Sequence, residues 1–256
     1  MTFAVAAEAY DRFVGRYADA LGRELARVAG VQAGMRALDV GAGTGKLTGV
    51  LAELLGESNV AAVDPSEPFV AAVTSRFPEA EVRRSAAESL PFADSTFDAV
   101  FAQLVVNFLR DPETGVSEMM RVTREGGVVA AAVWDYPGRM TMLHAFWQAA
   151  AALGDTDGDD ERTTMRFDEE GELADLWHEL GLRDVRDGAI VVSASYESFD
   201  DLWEPFRAGV GPAGAHVSSL GSELQKALRD EYRRRLGSPE GTFELEARAW
   251  YAVGKK

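Results

Sequence analysis

Cysteine is absent from this 256-residue chain. That excludes disulfides, thiolate metal sites and any mechanism with a cysteine nucleophile. Positive charge is scarce, with 26 Lys and Arg against 42 Asp and Glu and a net charge of −16. Such a chain repels phosphate backbones and anionic lipid, so neither nucleic acid nor a membrane is an expected partner. The densest basic cluster, "RDEYRRRL" (229–236), is interleaved with acids and reads as a solvated helix face. Long apolar runs are missing as well. No uncharged stretch exceeds in length that from Met140 to Gly154, which is too short and too polar to span a bilayer. The opening "MTFAVAAEAYDR" has neither the basic start nor the apolar centre of a signal peptide, so a cytoplasmic location is expected.

What remains is ordinary globular composition, 46% hydrophobic and 27% charged, at a length that suits one large α/β domain. "MRALDV" (35–40), "NVAAV" (59–63), "FDAVFA" (97–102) and "GVVAAAVW" (127–134) read as strands buried on both faces. Between the first two, Leu47, Val50, Leu51, Leu54 and Leu55 recur on one face of a helix. A second helix is expected from Ser66, as N-cap, to about Phe77, before Pro78. A third follows "RDPETG" and carries Val116, Met119, Met120 and Val122. Alternating strands and helices predict a doubly wound parallel sheet with right-handed crossovers. "VRDGAIVVSASY" (185–196) and "FELEARAWYAV" (243–253) read as two further strands, the second alternating like a half-buried strand. Two inserts interrupt the pattern. One, about 137–167, holds the acidic "GDTDGDDE" (154–161), which reads as a solvated loop. The other, about 197–240, holds Trp203, Phe206, the turn "GVGPAG" (209–214) and a helix after Ser218.

The chemistry starts at "ALDVGAGTG" (37–45), where an acid and three alternate glycines follow a strand. Three glycines in five residues cost chain entropy and call for positive φ or a ligand against the backbone. Strand, acid, glycine turn and helix make a nucleotide-binding layout at the carboxyl edge of a sheet. The dinucleotide fingerprint G-x-G-x-x-G needs Gly or Ala where this chain has Lys46. The phosphate-binding loop needs Gly and Ser or Thr where it has Val40 and Leu47. What is left is D-x-G-x-G-x-G followed by Asp64, an acid at the end of the next strand that suits a ribose diol.

At these residues the chain resembles the class I S-adenosylmethionine-dependent methyltransferases, in particular their bacterial small-molecule group. "LDVGAGTG" looks like the first cofactor motif and "AVDPS" (62–66) like the second. "AAESLPFADSTFDAV" (86–100) looks like the adenine-side loop, and "EMMRVTREGGVVAAAVWDY" (118–136) like the segment into strand five. "YDRFVGRYADAL" (10–21) is similar to the N-terminal helix that covers the cofactor in relatives. The resemblance implies a single domain over residues 1–256, with a seven-stranded, mostly parallel sheet, an antiparallel last strand and helical lid inserts. It also implies S-adenosylmethionine as cofactor, leaving as S-adenosylhomocysteine, and no metal. Gly41, Ala42 and Gly43 would lie along the methionine and ribose, and Asp39 would orient the amino end. Asp64 and Pro65 would meet the ribose, Ala87 and Glu88 the adenine edge, and Gln103 the methionine half. Gly45 serves either the cofactor or helix packing. Relatives often carry Asp where this chain has Ala86, which leaves the adenine contact open.

Methyl transfer from a sulfonium is an in-line displacement in which alignment does most of the work, so no catalytic residue is required at a fixed place. "QLVVNF" (103–108) lacks the Pro-Pro-aromatic signature of amino-methyltransferases, and the missing cysteines exclude pyrimidine C5 and arsenite methylation. A small-molecule acceptor remains, methylated at O, N or C. Asn107, Trp134, His144, Trp147, Trp203 and Phe206 are candidate acceptor-side residues, with Phe146 beside them. Of the three histidines, His178 and His216 read as structural, and His144 is the candidate general base. Two other readings stay open: a non-catalytic S-adenosylmethionine sensor or accessory protein, and a nicotinamide oxidoreductase, which Lys46 opposes.

Overall fold

The computed structural model describes residues 11–154 and 160–256. Residues 155–159 of the acidic stretch 154–161, and Tyr10 at the start of the expected covering helix, lie outside the described residues. Seven strands form one sheet: β1 Ala37–Val40, β2 Val60–Asp64, β3 Glu81–Arg84, β4 Phe97–Gln103, β5 Thr123–Trp134, β6 Arg183–Tyr196 and β7 Phe243–Lys255. Their order is β3-β2-β1-β4-β5-β7-β6. β1 pairs in parallel with β2 and β4, as do β2 with β3 and β4 with β5. β7 runs antiparallel to β5, from Val128↔Lys255 to Trp134↔Ala249. The winding reverses between β1 and β4, so a crevice for a ligand is expected at the carboxyl ends of these two strands.

Ten α-helices have their bounds among the described residues. They are α1 Ala18–Ala29, α2 Lys46–Leu55, α3 Glu67–Arg76, α4 Pro112–Val122, α5 Thr141–Ala152, α6 Glu161–Thr164, α7 Glu172–Glu179, α8 Phe199–Arg207, α9 Gly211–Ser219 and α10 Ser222–Arg235. No helix among the described residues is long and apolar enough to cross a membrane. Leu47, Val50, Leu51 and Leu55 of α2 are buried as their spacing predicts, but Leu54, in the last turn, is 46% exposed. Ser66 starts α3 without a hydroxyl cap; its backbone N–H instead donates to Asp64 Oδ1 at 2.8 Å. Asp111 does cap α4, accepting from Thr114 N. "GVGPAG" is not a free turn: α9 begins at Gly211, with Pro212 in its first turn, where the fixed φ favours a helix start. β7 alternates only as far as Ala249. Beyond it Trp250, Ala252, Val253 and Gly254 are all buried, where the strand pairs with β5 and Gly254 lies against Trp177 and Leu182.

The chain divides into two compact units. One comprises Ala18–Trp134, Arg166–Ile190 and Ala249–Lys256 and holds β1 to β5. Its core is apolar on both faces of the parallel strands, with β1 and β2 buried throughout. The other comprises Met1–Tyr17, Asp135–Met165 and Val191–Arg248. Most of both inserts belongs to this second unit, residues 166–167 excepted. Its core is aromatic. Phe146 stacks on Phe206 at 4.7 Å between centroids, Trp203 stacks on Phe206 at 5.8 Å, and Phe13 and Tyr232 meet Phe206 edge-on.

Candidate active site

Within the sheet-bearing unit, the carboxyl ends of β1, β2 and β4 gather the residues that the glycine motif predicts. Asp39, next to last in β1, is buried, with 1% of its surface exposed. Its Oδ2 accepts from Thr48 Oγ1 at 2.7 Å. Burial pushes the Asp39 carboxyl up to about 6, against the bond from Thr48 that pulls it down. A buried acid shifted in this way is costly to the fold, which makes Asp39 a candidate site residue. Thr48 is itself fully buried, and sequence reading missed it. The available signal was a hydroxyl on the apolar face of α2.

The energetic consequence has a definite sign. The folded value lies above that of a free carboxyl, about 3.9. The folded state is therefore relatively favoured while Asp39 is protonated, and that contribution is lost as pH rises from about 4 through about 6. Asp39→Asn is expected to be more stable than wild type at neutral pH by up to about 3 kcal/mol, the equivalent of about two pH units. Urea melts across pH would show the gain shrinking towards about pH 4. The same variant is expected to bind a cationic ligand more weakly, a trade of stability against function.

The glycines divide by role. Gly41 has φ 73°, and a side chain there would meet Val105 Cγ2 at 2.5 Å, so this glycine is fixed by the chain after β4. Gly45 has φ 82° and packs on Val73 and Phe77 of the adjoining helix, which makes its packing role explicit. Gly43 is different. With φ 53°, it has no heavy atom within 4 Å of where a side chain would stand. Open space before a bare backbone is the feature a close-lying ligand needs. Ala42 turns its methyl into a small cluster with Ala62, Val73 and Phe77.

Asp64, which ends β2, is buried yet polar on both oxygens. Oδ2 accepts from Gly43 N at 2.9 Å and Oδ1 from Ser66 N at 2.8 Å. One carboxylate thus holds the glycine loop and the start of α3 in register, with lone pairs remaining for further donors. Pro65 is exposed, and its carbonyl accepts from Arg84 Nε at 3.0 Å. Ser85 N donates to Asp64 O at 3.1 Å, which brings the Ala86–Glu88 loop beside the same acid. Ala87 is buried, Glu88 half-buried and Ala86 exposed. Gln103, last in β4, donates from Nε2 to Ala18 O at 3.0 Å, while its buried Oε1 has no hydrogen-bond partner.

The acceptor-side candidates fall in different parts of the chain. Trp134 ends β5 and Asn107 lies in a 3-10 turn, Val106–Phe108; both are buried. His144 and Trp147 lie on α5, and Trp203 and Phe206 on α8. Trp147, Trp203 and Phe206 are buried, and Phe146 touches all three rings. They form the packed core of their unit. His144 is half-buried, and its Nε2 lies 2.7 Å from Gln148 Nε2 on the same helix. His178 is exposed on α7 as expected. His216 is buried inside α9, its ring centroid 5.2 Å from that of Trp147. The glycines of "GVGPAG" serve close packing, since a side chain on Gly214 would meet Gly209 C at 2.6 Å.

Residues 38–131 match the methyltransferase domain family. The chain is 34% identical over 108 residues to a demethylmenaquinone methyltransferase of Renibacterium salmoninarum, spanning 42% of this chain and 45% of that protein. It is 30% identical over 192 residues to a malonyl-[acyl-carrier protein] O-methyltransferase of Halorhodospira halophila, spanning 73% of this chain and 62% of that protein. The chain therefore spans about half to three-fifths of the length of these relatives. Among solved structures, a candidate methyltransferase of an antibiotic biosynthesis pathway from Anabaena variabilis shares the fold. Its TM-score is 0.63 at 18% identity, over 91% of this chain and 96% of that one.

Proposed function

We propose that the chain, whose residues 38–131 match the methyltransferase domain family, is a class I S-adenosylmethionine-dependent methyltransferase that methylates a small-molecule acceptor by in-line transfer. The observation that carries the proposal is the pair of buried carboxylates, Asp39 and Asp64, flanking a glycine loop whose Gly43 faces open space. When bound, S-adenosylmethionine supplies an electrophilic methyl group on a sulfonium. The residues present fit such a group. Asp64 would accept from the ribose hydroxyls, and Asp39 would offset the cationic amino end. Gln103 Oε1, buried without a hydrogen-bond partner among the described residues, would accept from the methionine half. The backbone at Ala87 and Glu88 would meet the adenine edge, and Gly41, Ala42 and Pro65 would shape the walls. The relatives' names specify demethylmenaquinone and malonyl-[acyl-carrier protein] as their acceptors. In this proposal the acceptor here is likewise a small group held for transfer at O, N or C. The inserts 137–167 and 197–240 supply its selection.

Rate comes from alignment and exclusion of water, which together are worth several powers of ten without a proton-transfer residue. His144 has an amide neighbour, Gln148, and among the described residues no carboxylate pairs with its ring. His144→Ala is accordingly expected to keep turnover within about five-fold of wild type. A general base would instead show a loss of about 100-fold or more. A single-turnover assay of S-adenosylmethionine across an acceptor panel tests the reaction itself. The proposal predicts stoichiometric S-adenosylhomocysteine with at least one acceptor. Cofactor binding without any product would identify a sensor or accessory protein instead.

A further inference from the structure

The loop between β3 and β4 is held by α4 in a way that nothing in its own sequence requires. On α4, Glu118 and Arg121 stand one turn apart and pair through Arg121 Nε to Glu118 Oε1 at 2.6 Å. Their remaining atoms reach the loop. Glu118 Oε2 accepts from Leu90 N at 2.8 Å, and Arg121 Nη2 donates to Leu90 O at 3.0 Å. Arg121 Nη1 donates to Phe92 O at 2.8 Å and to Asp94 Oδ1 at 2.7 Å. Both backbone groups of Leu90 are thus satisfied by one ion pair. The backbone of α4 closes the far end, its Arg121 and Val122 carbonyls accepting from Ser95 N and Thr96 N. At the near end, a side chain on Gly115 of α4 would meet Ala87 Cβ at 3.7 Å, so Ala87 packs directly on this helix. The guanidinium contacts hold the Glu118 carboxyl below the usual carboxylate range.

This clamp matters because of what the loop lacks. Ala86 is exposed and carries no polar group, so no side chain there reads a base. Discrimination at a nucleoside site then falls to the backbone of Ala87–Glu88, and a backbone reads donors from acceptors only if it is held still. We propose that Glu118 and Arg121 are positioning residues that set base selectivity at the nucleoside end of the candidate cofactor site, by fixing the Ala87–Asp94 loop on α4. The inference rests on the cofactor reading of that site. An arginine fork paired with a carboxylate suits the task, because its planar donors fix direction as well as distance.

The test compares two ligands by calorimetry: S-adenosylhomocysteine, and its analogue with a 6-oxo group in place of the 6-amino group. Wild type is expected to prefer the amino form by at least about 30-fold, since mismatched polar groups go unpaired. Arg121→Gln and Glu118→Gln are expected to cut that preference to less than about five-fold, and Arg121→Lys to an intermediate value. If Arg121→Gln fails to fold, Glu118→Gln carries the comparison, because glutamine still accepts from Leu90 N while the ion pair is gone. A purely structural clamp would lower stability, or affinity for both ligands alike, and leave the ratio at its wild-type value. That result overturns the inference and leaves the cofactor reading intact. Wild type that binds both ligands equally also overturns it, and wild type that binds neither removes the cofactor reading along with it.

Discussion

Asp64→Ala is expected to lower affinity for S-adenosylhomocysteine by at least 100-fold. The ribose diol would lose two hydrogen bonds to a charged acceptor, each worth about 1.5–3 kcal/mol, and about 3–6 kcal/mol corresponds to roughly two to four powers of ten in the dissociation constant. A second loss compounds the first. Asp64 Oδ2 holds Gly43 N at 2.9 Å, so the glycine loop also loses the anchor that presents it. Asp64→Asn separates these effects, since it keeps an acceptor but not the charge, and it is expected to fall between the two. The fold itself should survive either change, because Val60 to Val63 of the same strand are fully buried and carry its packing. Calorimetry with melting controls measures both quantities. Near-wild-type affinity in Asp64→Ala would reduce this acid to a turn residue before Pro65.

Phe206→Ala is expected to destabilise its unit by about 3–5 kcal/mol, the usual result of removing a fully buried ring. The ring has 0% exposure and lies against Phe146, Trp203, Phe13 and Tyr232. Phe206→Leu, which refills much of the volume, should cost less. Turnover is expected to fall in the alanine variant, while S-adenosylhomocysteine affinity holds, because Asp39, Gly43 and Asp64 all belong to the other unit. Denaturant melts and binding titrations separate the two outcomes. A stable Phe206→Ala protein would mean that the ring walls an open acceptor cavity rather than filling a core.

Local pattern carried the sheet and the nucleotide site a long way. Four buried strands, the glycine loop and Asp64 are visible because near-continuous apolar runs and an acid after a strand are local signals. β3 was not visible as a strand. "EVRR" is polar because it lies at the sheet's edge, where Arg36 reaches Glu81 at 2.6 Å and only β2 pairs with it. Other features depend on residues distant in sequence. Gly41 must be glycine because Val105 arrives from the end of β4, and no spacing within "GAGTG" announces that. Leu104, just before it, takes φ 62°, a conformation unusual for leucine, in turning the chain after the strand. "GVGPAG" reads as a turn by composition, yet tertiary packing of α9 against Gly209 makes its second half helical. The aromatic residues of the inserts are likewise legible as a group, but sequence alone does not separate pocket walls from a packed core, and their mutual stacking shows the core.

The central claim is that the Asp39–Gly45 loop and Asp64 form a site for S-adenosylmethionine. Its most direct measurement is thermal melting of the wild-type protein titrated in parallel with S-adenosylhomocysteine, NADH and ATP. A ligand that binds only the folded state stabilises it by about 2.7 kcal/mol at 100 times its dissociation constant. The account predicts a saturable rise in melting temperature with S-adenosylhomocysteine and none with the other two. Stabilisation by NADH or ATP, with S-adenosylhomocysteine inert up to millimolar concentration, would contradict it.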